Sequence, residues 1–452
     1  MTFVPMQPTP RPHRIVIVGG GAGGLPLATK LGDRYGRRGA VAVTLVDQYA
    51  THLWKPLLHE VAAGALNADA HDLDYLAIAH WHRFRFQQGA VLRLERARHE
   101  LHLAEVRDDD DAVMLPTRVV PYDTLIFAVG SFSDDFGVAG VLKHAAVLDG
   151  LHDAERFHRR LLAACVRADA DAAAGNPTGV AIVIIGAGAT GVELAAEIRQ
   201  ATSAHAVYGL PHLDATRDIH ITLLEAAPRI LPPLSEALAT AAAELLARLD
   251  VAVRTDQRVT AVVPGEVQTR GGETRGGETF RADLIVWAAG IKAPVWLAAL
   301  DGLEANRMNQ LVVRPTLQTS QDPDIFALGD CAACPWLGGA AGALLPPRAQ
   351  VAHQQATFLV KSMAARLDGR ALPVFRFRDF GSLVSFGELS AVGSLMGGLI
   401  GGSLFIQGAI ARLMYAALYK LHQISIHGVL RVALDTVGRF LRGRVEPRVK
   451  LH

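Results

Sequence analysis

Residues 14–24, Arg-Ile-Val-Ile-Val-Gly-Gly-Gly-Ala-Gly-Gly, decide the fold of this chain. An apolar run typical of a buried strand leads into a glycine-rich turn and then into a segment with helical character. Gly19, Gly21 and Gly24 have the G-x-G-x-x-G spacing, in which the glycines allow a tight turn, a close approach of pyrophosphate, and close packing of helix on strand. Asp47 ends the next apolar run, where an acid binds ribose. The stretch therefore predicts a dinucleotide site at a helix N-terminus.

The same pattern returns later in the chain. Residues 180–191, Val-Ala-Ile-Val-Ile-Ile-Gly-Ala-Gly-Ala-Thr-Gly, repeat the strand, the turn and the helix start, with Gly186, Gly188 and Gly191 in register. Glu225 ends the following apolar run, 34 residues after Gly191, a distance that requires an insertion near Ser203 to Arg217. The two copies predict an α/β protein with two Rossmann-like domains, one for a flavin dinucleotide and one for a nicotinamide dinucleotide.

Composition narrows the class of protein. The chain has 452 residues, enough for two or three domains with full cores. Its 45 Lys and Arg nearly cancel its 44 Asp and Glu, so no overall electrostatic field indicates a nucleic-acid partner. Three cysteines in so long a chain argue against a disulfide framework and for a reducing compartment.

A third candidate binding segment is Ile-Phe-Ala-Leu-Gly-Asp, residues 325–330. A carboxylate at Asp330 can accept hydrogen bonds from a polyol chain, and Gly329 permits that chain to approach closely. An acid that only ends a strand is the simpler interpretation. With two dinucleotide motifs upstream, the ligand role is favoured.

The C-terminal part of the chain carries the excess hydrophobicity. Residues 389–411 contain no charge and are long enough to span a bilayer, but their six glycines favour strand and turn. Two later stretches predict amphipathic helices. The first has Ile410, Leu413, Met414, Ala417, Leu421 and Ile424 opposite Arg412, Tyr419 and Gln423, and the second has Val429, Val432, Ala433, Val437 and Phe440 opposite Arg431, Arg439 and Arg442. Apolar faces with basic flanks predict helices lying in the headgroup plane of a membrane, and packing on the protein's own core is the alternative.

Taken together, these stretches resemble the type II NADH:quinone oxidoreductases, which are single-chain, non-pumping NADH dehydrogenases of the two-dinucleotide flavoprotein family. The matching stretches are the two glycine motifs and residues 52–62, 287–291, 328–331, 347–355, 381–385 and 419–428. The resemblance spans residue 14 to the C-terminus. The glycine motifs are shared by many reductases, whereas the Ala-Gln-Val-Ala-His-Gln-Gln segment and the tail are more specific.

The resemblance implies an activity and a site. It implies that the protein oxidises NADH and reduces a membrane quinone through bound FAD, without ion pumping, in a respiratory chain. The implied FAD-binding residues are Gly19, Gly21, Gly24, Asp47, Lys55, Gly329 and Asp330, and the implied NADH-binding residues are Gly186, Gly188, Gly191 and Glu225. Gln350 and Gln354, four residues apart on one helix face, match the residues at the family's quinone pocket. Glu193 matches an acid near the nicotinamide and the flavin; a first-turn acid favoured by the helix dipole is the alternative.

The same resemblance implies a location and a domain order. It implies a peripheral protein on the cytoplasmic face of the inner (plasma) membrane, and it leaves a homodimer open. The predicted segments are a flexible leader (1–13), the first part of an FAD-binding domain (14–150), an NADH-binding domain (176–290), the second part of the FAD-binding domain with the quinone-site helix (291–375), and a C-terminal membrane-associating region (376–452).

Two other functions remain open at this level. Cys331 and Cys334 have the spacing of a redox dithiol, so a flavin-dependent disulfide reductase is the enzymatic rival. Reductases that resemble this chain carry their redox cysteines elsewhere, however. One such pair also offers too few thiolates for a closed zinc site, and no metal site is predicted. A redox-sensing flavoprotein that docks by its tail, without turnover, is the non-enzymatic rival.

Overall fold

The computed structural model describes residues 11–37, 39–68, 71–271, 277–386, 390–397, 402–407 and 409–442. The helices are α1 Gly24–Tyr35, α2 Leu58–Ala63, α3 Tyr75–His82, α4 Val141–His144, α5 Leu151–Ala173, α6 Ala189–Gly209, α7 Glu236–Arg248, α8 Ala349–Leu367, α9 Ala409–His427 and α10 Val429–Arg442. Among the described residues, each helix is too short or too polar to cross a membrane.

The strands, in chain order, are β1 His13–Val18, β2 Val41–Asp47, β3 Thr51–His52, β4 Leu73–Asp74, β5 Arg85–Gln88, β6 Val91–Glu95, β7 Glu100–Leu103, β8 Val106–Arg107, β9 Val113–Leu115, β10 Arg118–Pro121, β11 Thr124–Phe127, β12 Phe132–Ser133, β13 Val180–Ile185, β14 Ile219–Leu224, β15 Val251–Arg254, β16 Gln257–Val263, β17 Glu266–Gly271, β18 Thr279–Arg281, β19 Leu284–Trp287, β20 Ile291–Lys292, β21 Leu311–Val312, β22 Ile325–Ala327, β23 Ala332–Ala333, β24 Gly381–Phe386, β25 Ser390–Gly397 and β26 Gly402–Gln407.

The described residues form two compact units, each assembled from separate stretches of chain. The first unit takes its residues from Met1–His52, Asp72–Phe132 and Lys292–Phe377. The second takes its residues from Leu53–His71, Ser133–Ile291 and Arg378–His452.

A parallel sheet with the strand order β22-β11-β1-β2-β5 forms the core of the first unit. In its central strand β1, the four residues Ile15–Val18 are β-branched and almost completely buried, as expected for a parallel sheet covered on both faces. The next two strands of the sheet, β2 and β11, lie on opposite sides of β1. The strand order therefore reverses at the carboxyl end of β1, which is where open α/β sheets bind their ligands.

The second unit repeats this arrangement with the parallel order β15-β14-β13-β19. Its central strand β13 lies between β14 and β19, so a second reversal point lies at the carboxyl end of β13. Helix α6 runs for 21 residues, to Gly209, and a turn then leads to β14. The insertion predicted between Gly191 and Glu225 is thus an extension of this helix and the turn after it.

One buried arginine holds that extension in position. The guanidinium of Arg199 on α6 donates hydrogen bonds to the backbone carbonyls of Ala215, Ile219, Leu249 and Asp250. Arg199 is 3% exposed, so these carbonyls satisfy a charge that would otherwise be costly to bury. The contacts tie α6 to the starts of β14 and β15.

The C-terminal part of the second unit begins with an antiparallel sheet, β24-β25-β26. Strands β25 and β26 confirm the prediction of strands within residues 389–411, as far as those residues are described. Helix α9 packs on this sheet, and α10 packs on α9. Trp54 stacks on Tyr419 and His422 with ring centroids 5.4 Å apart in each pair, so these two side chains of α9 point inward within this unit.

The compact units differ from the predicted domain segments in three places. Residues 53–71 and 133–150 were expected in the first part of the FAD-binding domain but lie in the second unit, where α2 packs against α5 and α6. The tail also lies in the second unit, because β24 packs against α6 and β25 against α7. Strand β1 begins at His13, the last residue of the predicted leader, and residues 1–10 of that leader lie outside the described residues.

Candidate active site

The glycine turn of the first unit has the geometry that the motif predicts. Gly19 has a φ of +100°, which a residue with a side chain rarely adopts. A Cβ on Gly24 would collide with the carbonyl oxygen of Gly19, whereas a Cβ on Gly21 would have no protein atom within 4 Å. Gly19 thus allows the turn, and Gly24 allows α1 to pack closely. Gly21 borders open space where a pyrophosphate fits.

The turn of the second unit has the same division of tasks. Gly186 has a φ of +102°, a Cβ on Gly191 would collide with the carbonyl oxygen of Gly186, and a Cβ on Gly188 would have no neighbour within 4 Å. Helices α1 and α6, which follow the two turns, begin without a capping side chain and without an acid in the first turn. Their first amides therefore remain available to an anion.

An acid braces each turn in the same way. Asp47 Oδ2 accepts a hydrogen bond of 2.6 Å from the Gly20 amide, and Glu225 Oε2 accepts one of 2.8 Å from the Ala187 amide. The other oxygen of Glu225 accepts from the Ala227 amide at 2.9 Å. Each acid is held beside its turn, where it can also accept from a ribose hydroxyl.

Sequence reasoning missed Tyr75, which packs against the first turn. Tyr75 is buried, and a Cβ on Gly20 would collide with its phenol oxygen. Burial raises the pKa of Asp47, while hydrogen bonds from the Gly20 amide and the Tyr75 hydroxyl act in the opposite direction. No local signal marks an aromatic residue at the start of α3 as part of this site.

Asp330 lies just past the carboxyl end of β22, at the same sheet edge as the first turn. Its Oδ2 accepts a 2.8 Å hydrogen bond from the Ser131 hydroxyl, and its backbone carbonyl accepts one of 2.9 Å from the side-chain amide (Nε2) of Gln310. Gly329 has a φ of +71°, so the turn before Asp330 needs a glycine. The carboxylate is thus held in place at the edge where the predicted polyol chain would lie.

Helix α8 carries three glutamines with different environments. The two predicted quinone-site residues, Gln350 and Gln354, are half-buried one turn apart. Gln355, which was not predicted, is completely buried, and its Oε1 accepts a 2.7 Å hydrogen bond from the Gly329 amide. This side chain therefore links α8 to the Gly329–Asp330 turn.

Replacing Gln355 with leucine is expected to weaken flavin binding by roughly 10-fold, because a buried amide left without its partner costs about 1–3 kcal/mol. Flavin retained after extensive dilution measures this, with the exposed Lys361→Met on the same helix as the control. Full retention of flavin by Gln355→Leu would contradict a positioning role for this side chain.

Glu193 lies in the second turn of α6, so the alternative of a first-turn acid does not apply. It is 7% exposed, and its Oε1 accepts a 2.9 Å hydrogen bond from the Ser385 amide of β24. Burial and the neighbouring acids Glu60 and Glu197 together raise its pKa to about 8, against the opposing effect of the Ser385 hydrogen bond. A carboxyl group in this position holds its proton at neutral pH.

The remaining candidates are two cysteines and a lysine. Cys331 and Cys334 are buried, and burial raises the pKa of each thiol to about 12. A thiolate is the reactive form of cysteine, so this environment disfavours the dithiol function. Lys55 lies in the second unit with its Nζ 3.8 Å from the Asp149 carboxylate, and its predicted role in flavin binding stays a prediction.

Comparisons with known proteins agree with this arrangement. The family model described as pyridine nucleotide-disulphide oxidoreductase matches residues 13–356. The type II NADH:quinone oxidoreductase of Haemophilus influenzae is 40% identical over 450 residues, which cover 97% of this chain and 99% of that one. This chain belongs to the type II NADH:quinone oxidoreductases. The family member NdhA of Mycobacterium tuberculosis is 30% identical, with coverage of 97% of this chain and 89% of that one.

Solved structures show the same fold. The structure titled NDH2 from Plasmodium falciparum in complex with NADH has a TM-score of 0.78 at 18% identity, and the match covers 97% of this chain and all of that one. The sulfide:quinone oxidoreductase of Aquifex aeolicus has a TM-score of 0.70 at 15% identity, with 96% of each chain covered. These findings confirm the predicted family, the fold class, the enzyme class, and FAD and NADH as cofactors. The roles of single residues stay predictions.

Proposed function

We propose that this protein transfers electrons from NADH to a membrane quinone through FAD, without pumping ions, in a respiratory chain. The supporting observation is the pair of glycine turns, each with open space at its second glycine and each braced by an acid. When held at the first turn, FAD would supply the redox chemistry, namely acceptance of a hydride from NADH and donation of two electrons to the quinone. The residues of this chain bind and orient the two dinucleotides and the quinone, and they supply the protons that the quinone takes up.

In this proposal each unit holds one dinucleotide. The amides at the start of α1 bind the pyrophosphate of FAD, Asp47 accepts from its ribose, and Asp330 accepts from its ribityl hydroxyls. The amides at the start of α6 bind the pyrophosphate of NADH, and Glu225 accepts from its ribose hydroxyls. An acid at that position repels a 2′-phosphate, which favours NADH over NADPH.

The quinone half-reaction needs neutral donors and a source of protons. Gln350 and Gln354 point to the same side of α8, and their amides can donate to quinone carbonyls without adding charge to an apolar pocket. Glu193 is buried with a raised pKa, so its carboxyl is protonated near neutral pH and can release a proton.

Turnover separates this function from its rivals. We expect NADH oxidation by the full-length protein to depend on an added quinone and to stay slow with a disulfide or with no acceptor. Disulfide reduction without quinone would favour the dithiol enzyme instead. Flavin reduction by NADH without turnover on any acceptor would favour the sensor.

We infer that the tail binds the membrane surface peripherally, and we propose the cytoplasmic face of the inner membrane as the location. The large apolar side chains exposed in the described part of α10 are Val429, Leu430, Leu434 and Val437, and α9 exposes Leu421. Arg431 is also exposed on α10. Exposed apolar side chains beside basic ones suit a helix that lies in the headgroup region of an anionic membrane.

Replacing Leu434 with serine is expected to weaken binding to anionic vesicles by roughly 10-fold, because it removes apolar surface worth about 0.8 kcal/mol per methylene. Co-sedimentation with vesicles measures the change. Val166→Ser, which alters an exposed valine of α5, serves as the control. Equal binding by wild type and Leu434→Ser would exclude α10 as the membrane contact.

A further inference from the structure

A histidine lies between two carboxylates in the second unit. His59 is on α2, which packs against α6, the helix that carries Glu193. Its Nδ1 is 3.7 Å from Oε2 of Glu193, and its Nε2 is 4.0 Å from Oε1 of Glu60. The two ring nitrogens therefore face two different acids.

The three side chains differ in their access to water. The exposed fraction is 22% for the Glu60 side chain, 9% for that of Glu193 and 3% for that of His59. The Glu60 side chain is the most exposed of the three and can exchange protons with solvent, whereas the side chains of His59 and Glu193 are both buried. The imidazole ring thus contacts the half-buried carboxyl of Glu60 through one nitrogen and the buried carboxyl of Glu193 through the other.

The surroundings keep the ring ready to accept a proton. The Pro56 carbonyl accepts a hydrogen bond from the ring, and the buried Nε2 has no hydrogen-bond partner among the described residues. Burial lowers the pKa of His59 to about 4 and raises the pKa of Glu60 to about 7. Near neutral pH the ring is neutral, and Glu60 is partly protonated.

Among the described residues, α6 and β24 also contribute groups to this cluster. Helix α6 adds Glu197, one turn beyond Glu193, and β24 adds the Ser385 amide that binds Glu193. Helix α5 places His158 against Gly64, at the far end of α2. The acids around Glu193 therefore favour its protonated form, and the imidazole is the group between Glu193 and the half-buried Glu60.

We propose that Glu60 and His59 deliver protons to Glu193 during quinone reduction. This inference rests on the proposed function and extends it from a proton source to a route. The Glu60 O–H bond breaks as its proton moves to Nε2 of His59, and the Nδ1–H bond breaks as that proton moves to the Glu193 carboxylate. Water then reprotonates Glu60, and the ring returns to its first tautomer before the second proton of the quinol. No electron moves in these steps.

The route requires small movements. Distances of 3.7 and 4.0 Å exceed a hydrogen bond, so the carboxyl groups must approach the ring by less than about 1 Å. Catalytic hydrogen bonds are commonly long before substrate binds and shorten in the reacting complex. Side-chain rotation of Glu60, which reaches solvent, can supply such a movement on its side.

Stopped-flow measurement of each half-reaction tests the route in the full-length protein. In His59→Gln and Glu60→Gln we expect flavin reduction by NADH to stay within about 2-fold of wild type, and reoxidation by quinone to slow by about 10-fold. The wild-type rate of reoxidation should fall as pH rises through about 7 to 8, because Glu60 and Glu193 lose their protons in that range. In Glu60→Gln the part of this decrease near pH 7, which comes from Glu60, should be absent. Glu60→Asp should restore part of the rate.

Two further measurements make the outcome decisive. Glu244→Gln, which alters an exposed acid of α7, should leave both half-reactions unchanged. Infrared spectroscopy of the oxidised protein, with Glu193→Gln to assign the carboxyl band, measures hydrogen–deuterium exchange at Glu193 without any quinone. Slower exchange in His59→Gln supports the route. Unchanged exchange and reoxidation would overturn it, as would equal slowing of flavin reduction. Absence of quinone turnover in wild type would instead contradict the proposed function, and the exchange rate would still decide the route.

Discussion

Replacing Gly188 with valine is expected to leave the flavin bound and to weaken NADH binding by roughly 100-fold. A Cβ at this position meets no protein atom within 4 Å, so the second unit should fold without strain. The side chain would instead occupy the space where the pyrophosphate of NADH passes the backbone. Overpacking a site with added methyl groups costs about 1–3 kcal/mol, and the cost is near the upper end of this range where the site fits its ligand closely.

The measurement is the dependence of flavin reduction on NADH concentration, with flavin content determined on the same sample. Gly209→Val is the matched control, because Gly209 ends the same helix and also has no neighbour within 4 Å of a built Cβ. The corresponding change in the first unit, Gly21→Val, should have the opposite result, with flavin lost. An unchanged NADH dependence in Gly188→Val would move the nicotinamide dinucleotide away from this turn.

The glycines and acids of both turns could be predicted because their signals are local. The positive φ of Gly19 and Gly186, and the close packing at Gly24 and Gly191, follow from a strand that turns directly into a helix. A turn this tight, with a helix packed this closely on its strand, needs a glycine at these positions.

Tyr75 and Gln355 could not be predicted, because their roles depend on contacts between distant parts of the chain. Tyr75 matters because α3 places its ring against Gly20, and Gln355 matters because α8 places its amide on Gly329. Neither residue differs in its local pattern from an ordinary core residue.

The division of the chain into two compact units could not be predicted from the sequence either. Residues 53–71 follow the first βαβ segment in sequence and were therefore assigned to the FAD-binding domain. Their short helix α2 packs instead against α5 and α6 of the second unit. Proximity in sequence favoured the first unit as the neighbour of α2, whereas the buried apolar face of α2 packs on the second unit.

Substitution of the glutamine pair of α8 is expected to affect only one of the two half-reactions. Replacing both Gln350 and Gln354 with leucine is expected to leave flavin reduction by NADH rapid and to slow reoxidation by quinone by roughly 10- to 100-fold. Two amide donors to a quinone carbonyl contribute about 1–3 kcal/mol, and leucine has nearly the same volume without a donor. Both side chains are half-buried, so the substitution should not disturb the core of α8.

Stopped-flow absorbance of the flavin distinguishes the outcomes, since NADH bleaches it and quinone restores it. The buried neighbour Gln355 stays intact in this variant, so the bond to Gly329 that supports the Asp330 turn is retained. Lys361→Met, two turns further along α8, serves as the control for altering the helix. Equal slowing of flavin reduction would mean that the pair shapes the flavin or nicotinamide site. Unchanged reoxidation would remove the pair from the quinone pocket, and the donors to the quinone would then have to come from other residues.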